Sequence, residues 1–406
     1  MERSSVSVAI VGPTYPLRGG QALLLGHVHE ALERRGVVTR VITFSRLYPR
    51  LLFPGQREEN TSRQPVKAIR SEPMLTPTNP MTWRRAVKAL ATGPQGPPHA
   101  LLMTWWNPFF GPLFRSIARA ARRRYGAPTL MICENVVSHE ARAIDGLLTR
   151  IGLSEPSEFI VLSDAVADDL RAYRSDAPVH RSTLPIYSCY GDPPERPEAR
   201  RRLGIDEGKV VLFFGLVRAY KGLDVLIDAM AKVVRRIDDV RLLVVGEFYE
   251  GEKERREQIA RLGLEDRTTL VPEYVPDEKV ATYFGAADCV VLPYRRATQS
   301  GITQVAVGMG VPMIATAVGG LPEAVRPGEN GAIVPPEDPD ALADALVSFF
   351  DEDEGETLRR KMAENRVGAR RSEDEIAGIV EGFARRVGGR DRGALAPDLE
   401  SRSGLG

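Results

Sequence analysis

Short apolar runs alternate with amphipathic stretches along most of the chain. The runs are rich in Val, Ile and Leu and are bounded by glycine, proline or polar residues, which is typical of buried strands. The predicted strands are Val6–Val11, Thr39–Phe44, Leu101–Trp105, Thr129–Cys133, Phe159–Leu162, Val210–Phe214, Arg241–Val245, Thr269–Val271, Cys289–Leu292 and Pro312–Thr316. Because helical spacing fills the segments between them, the pattern predicts an α/β fold of parallel sheets covered on both faces.

The strands fall into two groups, which indicates two doubly wound, Rossmann-like domains. A proline-rich stretch at 185–198 separates the groups and is typical of an interdomain linker. We therefore expect an N-terminal domain over residues 1–190 and a C-terminal domain over 191–370. A helix over 371–388 is expected to pack back on the first domain, and the Gly-, Arg- and Ser-rich residues 389–406 are expected to be a disordered tail.

The composition indicates a globular protein of the cytoplasm. The chain has 406 residues, 43% of them hydrophobic, and no run approaches the roughly 20 apolar residues that span a bilayer. Residues 4–11 predict a first strand and do not have the form of a signal peptide. Cys133, Cys189 and Cys289 are isolated in the sequence, so we expect reduced thiols and no metal cluster.

The net charge of +1 hides an asymmetry between the two halves. Residues 1–190 hold 24 Lys and Arg against 15 Asp and Glu, and the densest basic run is Arg119, Arg122, Arg123 and Arg124. A basic half suits peripheral contact with an anionic membrane or an anionic acceptor, and a solvated helix face is the simpler alternative. Nucleic acid is not expected as a partner, because few aromatic residues interleave the cations.

The segment Phe213–Met230 holds two cations between a strand and a helix. Gly215 lets the chain turn after the strand, and Arg218 and Lys221 follow at its carboxyl end. Ligands of open α/β sheets bind at this edge, and an Arg beside a Lys suits a diphosphate. A solvated strand-to-helix loop is the alternative interpretation.

Four segments in the second half together resemble the retaining GT-B glycosyltransferases, in particular the bacterial family 4, or group 1, type. They are FFGLVRAYKGLD at 213–224, LLVVGE at 242–247, VPEYVPDEKVATYFGAADCVVLPY at 271–294 and GVPMIATAVGGLPEAVRPGENG at 310–331. The resemblance implies two Rossmann-like domains facing each other across a cleft. It also implies that Arg218 and Lys221 hold a donor diphosphate, with Gly215, Gly246, Glu247, Gly319 and Gly320 near the nucleotide.

The first half is similar to the same family at PTYPLRGGQALLLGHVHEALERRG, residues 13–36. The family places a glycine loop here, close to where acceptor and donor meet. Gly19 and Gly20 would let backbone amides approach the donor phosphate or the attacked sugar, although a glycine pair is also an ordinary turn.

The chain departs from the family pattern at two places. The family commonly has two Glu residues before a Gly-x-Pro strand, and Ala297 and Val305 stand in that frame here. Gln299, Ser300 and Gly301 lie between them and offer hydrogen bonds to sugar or phosphate. Relatives often have a His at the place of Glu134, where it contacts the donor sugar. Either Glu134 or His139 is therefore a candidate to contact the sugar or accept a proton, and both also have ordinary surface interpretations.

The resemblance implies a hexosyltransferase that moves a sugar from a nucleotide-diphosphate donor to a hydroxyl acceptor with retention of configuration. The acceptor is a lipid carrier, a glycan or a small metabolite, as in bacterial polysaccharide or glycolipid biosynthesis. We expect no cofactor and no metal, since two cations serve the diphosphate. A catalytically inactive partner with the same fold and a sugar-nucleotide epimerase remain alternatives.

Overall fold

Two parallel sheets, one in each half of the chain, organise the computed structural model of this protein. The structure describes residues 6–49, 58–92, 96–137, 143–205, 208–351, 354–366 and 372–388. The first sheet has seven strands in the order β3-β2-β1-β4-β5-β6-β7, and the second has six in the order β10-β9-β8-β11-β12-β13. All the paired strands within both sheets are parallel.

The strand bounds follow the apolar runs closely. The first sheet is built from β1 (Ser7–Val11), β2 (Val38–Phe44), β3 (Glu72–Leu75), β4 (Ala100–Trp105), β5 (Thr129–Cys133), β6 (Glu158–Val161) and β7 (Val179–Arg181). The second is built from β8 (Lys209–Phe214), β9 (Val240–Val245), β10 (Thr268–Val271), β11 (Cys289–Leu292), β12 (Met313–Thr316) and β13 (Gly331–Val334).

Helices cover both faces of each sheet. In chain order they are α1 (Gly20–Arg34), α2 (Pro80–Ala89), α3 (Gly111–Tyr125), α4 (Asp145–Gly152), α5 (Asp164–Arg171), α6 (Arg196–Leu203), α7 (Leu223–Val233), α8 (Glu252–Arg261), α9 (Asp277–Ala286), α10 (Gly301–Met309), α11 (Leu321–Ala324), α12 (Pro339–Asp351), α13 (Glu354–Arg366) and α14 (Ser372–Gly388). The described helices include none that is both long and apolar enough to cross a bilayer.

The last described helix, α14, packs on the first half of the chain. Its apolar residues Ile376, Val380 and Phe383 are buried in one cluster with β1 and α1. Arg34 and Arg35 at the end of α1 form ion pairs of 2.7 Å with Asp374 and Glu381 of α14. The segment after the second sheet therefore returns to the first domain and ties the two halves together.

The aromatic residues at the end of β4 and just after it are part of the apolar core. Trp105 and Trp106 are buried with Phe110 and Phe114 in the core between the first sheet and helices α2 and α3. The three cysteines carry free thiols; Cys133 and Cys289 are buried and Cys189 is half-buried. These side chains stabilise the core by excluding water, and they lie outside the candidate site.

Candidate functional site

Loops that follow the carboxyl ends of the strands bring the two halves into contact. After β5, the carbonyl oxygen of Glu134 accepts hydrogen bonds from Gln299 Nε2 (3.0 Å) and Thr298 Oγ1 (3.3 Å). After β6, the Asp164 amide donates to Glu323 Oε1 at 3.0 Å. Since ligands of such sheets bind at this edge, the interdomain contact is the candidate site.

A fixed loop after β8 positions Lys221. Gly215 turns the chain with a φ of +103°, and Gly222 ends the loop in the left-handed region, where a Cβ would overlap the carbonyl oxygen of Pro293. Asp224 accepts a bidentate pair of hydrogen bonds from Arg295 at 2.9 and 2.7 Å, and Arg295 also donates to the carbonyl oxygen of Ala219. Contacts on both sides therefore hold the loop in place.

Lys221 is a buried cation. Its side chain lies over the Tyr294 ring, with Nζ 5.5 Å from the ring centroid, and the residue is only 8% exposed. Within the described part of the chain, no carboxylate forms an ion pair with it. Burial, with a smaller contribution from the charge of Arg218, lowers the pKa of Lys221 to about 8. Such a group binds an anion favourably, because the anion compensates the charge where water cannot.

A second cationic cluster joins the loop after β1 to the loops after β8 and β9. Arg18 Nη2 lies 2.5 Å from Glu247 Oε2 and 3.4 Å from the Tyr249 hydroxyl, and Arg18 also stacks over Tyr274. The Arg218 guanidinium lies 4.8 Å from the centroid of the Tyr249 ring. Glu247 is buried, so its carboxylate is committed to this contact between the domains.

Two hydrogen-bond acceptors at the interdomain contact have no partner among the described residues. They are Glu134 Oε1 and Gln299 Oε1, and both atoms are shielded from solvent. Burial raises the pKa of the Glu134 carboxyl to about 8. A buried acceptor without a donor costs free energy, so both atoms favour a ligand that brings hydroxyl groups.

Ser300 caps the helix that begins beside these residues. Its Oγ accepts from the Ile302 amide and lies 3.3 Å from the Tyr294 hydroxyl, which connects it to the ring under Lys221. Gly301 is the first residue of α10, and a Cβ there would contact the Tyr187 ring at 3.4 Å. The N-terminus of α10 therefore faces the same region as Lys221 and adds a partial positive charge.

The remaining glycines differ in how much space surrounds them. A Cβ on Gly20 would meet nothing within 4 Å, and no side chain caps the helix that follows Gly19. By contrast, a Cβ on Gly246 would overlap the carbonyl oxygen of Gly215, and Cβ atoms on Gly319 and Gly320 would overlap the backbone at Ala297 and Thr298. Gly20 therefore borders open space. Gly19 has a φ of +119°, which favours glycine, and a Cβ there would lie 3.1 Å from Gln21 Oε1. The other three glycines allow close backbone packing.

Among the predicted residues, the structure brings together Gly215, Lys221, Gln299, Ser300 and Glu134. Ala297 and Val305, which stand in the frame of the family's two carboxylates, are buried apolar packing residues. His139 lies outside the described residues.

Sequence reasoning missed Arg18, Tyr249 and Tyr294. Arg18 carries the only usable signal, since it is a cation beside a glycine pair after the first strand. The two tyrosines were not recognisable, because their role depends on which loops face each other across the two sheets.

The pair of facing sheets defines the class of fold. Sucrose-phosphate synthase from Thermosynechococcus elongatus is similar over 94% of this chain and 99% of its own, with a TM-score of 0.72 and 21% identity. Anabaena HepE, solved in complex with UDP, is similar over 94% of this chain and 100% of its own, with a TM-score of 0.70 and 18% identity. The chain has the GT-B fold of these glycosyltransferase structures.

Sequence comparisons support a group within that fold. Residues 208–352 match the model of the family described as glycosyl transferases group 1. A D-inositol 3-phosphate glycosyltransferase from Segniliparus rotundus is 28% identical over 343 residues, which cover 78% of this chain and 73% of that protein. Both similarities are to glycosyltransferases, and the family match lies within the second half of the chain.

Proposed function

We propose that the protein transfers a sugar from a nucleotide-diphosphate donor to a hydroxyl acceptor, with retention of the anomeric configuration. The observation that carries this proposal is the buried Lys221 ammonium, which no described carboxylate neutralises. An uncompensated buried cation lowers the stability of the folded protein, and a bound diphosphate would restore that stability by compensating the charge. Arg218 lies close enough to lower the pKa of Lys221, so a ligand here meets two cations.

The two cations would act most strongly as the glycosidic bond breaks. Negative charge then grows on the departing diphosphate, and fixed donors in a shielded site stabilise the transition state more than the ground state. The N-terminus of α10 adds to this effect. In our proposal the leaving phosphate accepts the proton of the acceptor hydroxyl, and no metal or cofactor is needed to offset the charge.

The unsatisfied acceptors at Glu134 and Gln299 suit the sugar of the donor. Their Oε1 atoms lack partners among the described residues, and sugar hydroxyls are donors of the kind they require. With a pKa raised to about 8, the Glu134 carboxyl is mostly neutral at pH 7 and can also donate a hydrogen bond. We propose Glu134 as the group that orients the sugar in the place where relatives have a His.

The names of similar proteins narrow the choice of donor. HepE was solved with UDP, with UDP and glucose, and with UDP-glucose. One relative is named for a hydroxylated acceptor, D-inositol 3-phosphate, and another, alpha-D-kanosaminyltransferase, is named for the sugar that it transfers. We therefore propose a uridine diphosphate sugar as the first donor to test. We place the donor on the C-terminal domain at 191–370, the acceptor on the N-terminal domain, and the reaction in the cytoplasm, where free thiols persist.

A catalytically inactive partner is the second candidate, and one observation favours it. The frame of the two family carboxylates holds the buried apolar residues Ala297 and Val305. An inactive partner would bind the nucleotide without releasing it from a sugar donor. A sugar-nucleotide epimerase would change the sugar nucleotide with no acceptor consumed.

Turnover with a panel of sugar nucleotides distinguishes the transferase, the inactive partner and the epimerase. The purified protein is incubated with each donor and a bacterial lipid or glycan extract, and released diphosphate and new sugar nucleotides are both measured by chromatography. We expect release with one donor, lowered about 10²-fold or more in Lys221→Ala, since one lost charge-stabilising donor costs that much elsewhere. Near-normal release in that variant would remove the diphosphate assignment, and no release from any donor would support the inactive partner.

A further inference from the structure

One face of the first domain is basic without compensation. Helices α2 and α3 lie side by side over the first sheet and contain no Asp or Glu. Their cations are Arg84, Arg85 and Lys88 on α2 and Arg115, Arg119, Arg122, Arg123 and Arg124 on α3. We call the outer surface of these two helices the basic face.

The basic face is not an ion-pair network. Arg115 and Arg119 each lie 4.0 Å from Glu155, at the limit of an ion pair. The other six cations pair with no carboxylate in the part of the chain that the structure describes. Several exposed arginines elsewhere do pair, as in Arg34 with Asp374 and Arg236 with Asp344. The positive potential of this face is therefore available to a partner.

Exposed apolar side chains flank the basic face at the end nearest the cleft. Met81 at the start of α2 is 65% exposed, and Ile144 and Leu147 at the start of α4 are 55% and 59% exposed. Each of these helices follows a strand and begins near its carboxyl end, on the side of the interdomain contact. Cations beside protruding apolar residues suit a surface that is both anionic and penetrable, which describes a lipid bilayer better than a nucleic acid.

Two neighbouring depressions lie between this edge and the candidate site. One depression of about 660 Å³ is lined by Leu147, Arg150 and Asp169, and a second of about 400 Å³ is lined by Asp169, Thr298 and Gly319. Val137 and Asp169 line both depressions, so the two adjoin, and we call them together the groove. Thr298 contacts the carbonyl oxygen of Glu134 within the candidate site.

We propose that the basic face docks on an anionic bilayer, with Met81, Ile144 and Leu147 inserted at the interface, and that the groove admits a membrane-held hydroxyl acceptor. The second half of this proposal rests on the proposed transfer reaction, whereas the docking does not. A bilayer oriented in this way would meet the acceptor-side domain and leave the donor side open to the solvent.

Vesicle cosedimentation tests the docking directly. The purified full chain is mixed with vesicles of phosphatidylcholine alone or with phosphatidylglycerol added, over a range of salt concentrations. Each cation at an anionic surface contributes roughly fivefold to binding. We therefore expect the variant Arg84→Gln, Lys88→Gln, Arg122→Gln, Arg123→Gln to bind anionic vesicles roughly 600-fold more weakly. The matched control, Arg235→Gln, Lys253→Gln, Arg261→Gln, Arg360→Gln, removes four exposed cations from the other domain and should bind like wild type.

The apolar contribution has its own variant. Met81→Ser with Leu147→Ser should weaken vesicle binding at every salt concentration, because insertion does not depend on screening. Equal binding to neutral and anionic vesicles, equal loss in the control variant, or binding to RNA with none to vesicles would each overturn the proposal.

Nucleotide binding in the same samples separates this proposal from the transfer reaction. The basic-face variant should bind a nucleotide diphosphate like wild type, because its four positions lie on the outer surface of α2 and α3. Loss of vesicle binding with nucleotide binding retained supports docking alone. Vesicle binding by a wild-type protein that binds no nucleotide would leave docking intact and remove the proposed function. Normal nucleotide binding by a wild-type protein that binds no vesicles would remove the docking proposal and leave the proposed function intact.

Discussion

Lys221→Met should stabilise the ligand-free protein while removing its ligand site. The substitution keeps a long, flexible side chain in place of the buried ammonium and removes the charge. The pKa of Lys221 falls from 10.5 to about 8 on folding, mainly through burial. At about 1.4 kcal/mol per pKa unit, this shift corresponds to at most about 3 kcal/mol of lost stability.

The dependence on pH identifies the cause. The folded protein holds this proton less tightly than the unfolded chain, so the penalty is present in full below pH 8. It disappears as the pH rises from about 8 towards 10.5, because the unfolded chain then carries a proton that the folded protein has released. The advantage of the variant over wild type should therefore be largest at pH 7 and shrink steadily above pH 8.

Scanning calorimetry at pH 7, 8 and 9 measures this advantage. A domain of this size gains about 2–4 °C in Tm for each kcal/mol, so the variant should melt several degrees higher at pH 7. Lys279→Met, at an exposed position of α9, is the matched control and should leave Tm unchanged. A Lys221→Met protein that melts below wild type at pH 7, or whose advantage does not change with pH, would refute the account of Lys221 as an uncompensated buried cation.

Three other positions give independent tests. Arg18→Ala should destabilise the protein by roughly 3–5 kcal/mol in denaturant unfolding, because it removes the cation that lies 2.5 Å from buried Glu247. The double variant with Glu247→Leu should recover part of that loss, and no recovery would contradict the pairing. Gly20→Ala should keep the wild-type Tm, because its Cβ would meet no other atom within 4 Å. The variant should lower turnover, because a ligand in contact with this backbone would clash with the added methyl group. Unchanged kinetics would show that the ligand binds elsewhere. Glu134→Gln should remove a loss of stability that wild type shows as the pH rises from 4.5 to about 8, because the carboxyl ionises in the unfolded chain over that range while the buried carboxyl keeps its proton. Identical pH profiles of unfolding for the two proteins would contradict its burial.

The sequence predicts the fold well wherever strands are buried. The ten predicted strands are present within one residue at each end. All of them except the edge strand β10 are central in their sheets, and central parallel strands are continuous apolar runs. The three unpredicted strands, β3, β7 and β13, all lie at sheet edges. Edge strands have one neighbour and tolerate polar residues and proline, as Pro73 in β3 and His180 in β7 illustrate, so their pattern is weak.

The candidate site is less predictable than the fold. Lys221 and its glycine turn are recognisable because strand, turn and helix follow each other in the sequence. The contacts of Glu134 with Gln299 and of Arg18 with Glu247 join residues far apart in the chain and depend on how the two domains face each other. No local pattern encodes that orientation, so the buried acceptors and the second cationic cluster are visible only in the structure.

Titration calorimetry of the ligand-free protein with UDP, GDP, ADP and TDP tests the central claim most directly. The account predicts saturable binding of one diphosphate, weakened about 10²-fold or more in Lys221→Met and unchanged in Lys279→Met. It also predicts weaker binding above pH 8, where Lys221 of the free protein loses its proton. Equal affinity in wild type and Lys221→Met, or no binding of any diphosphate, would contradict the account.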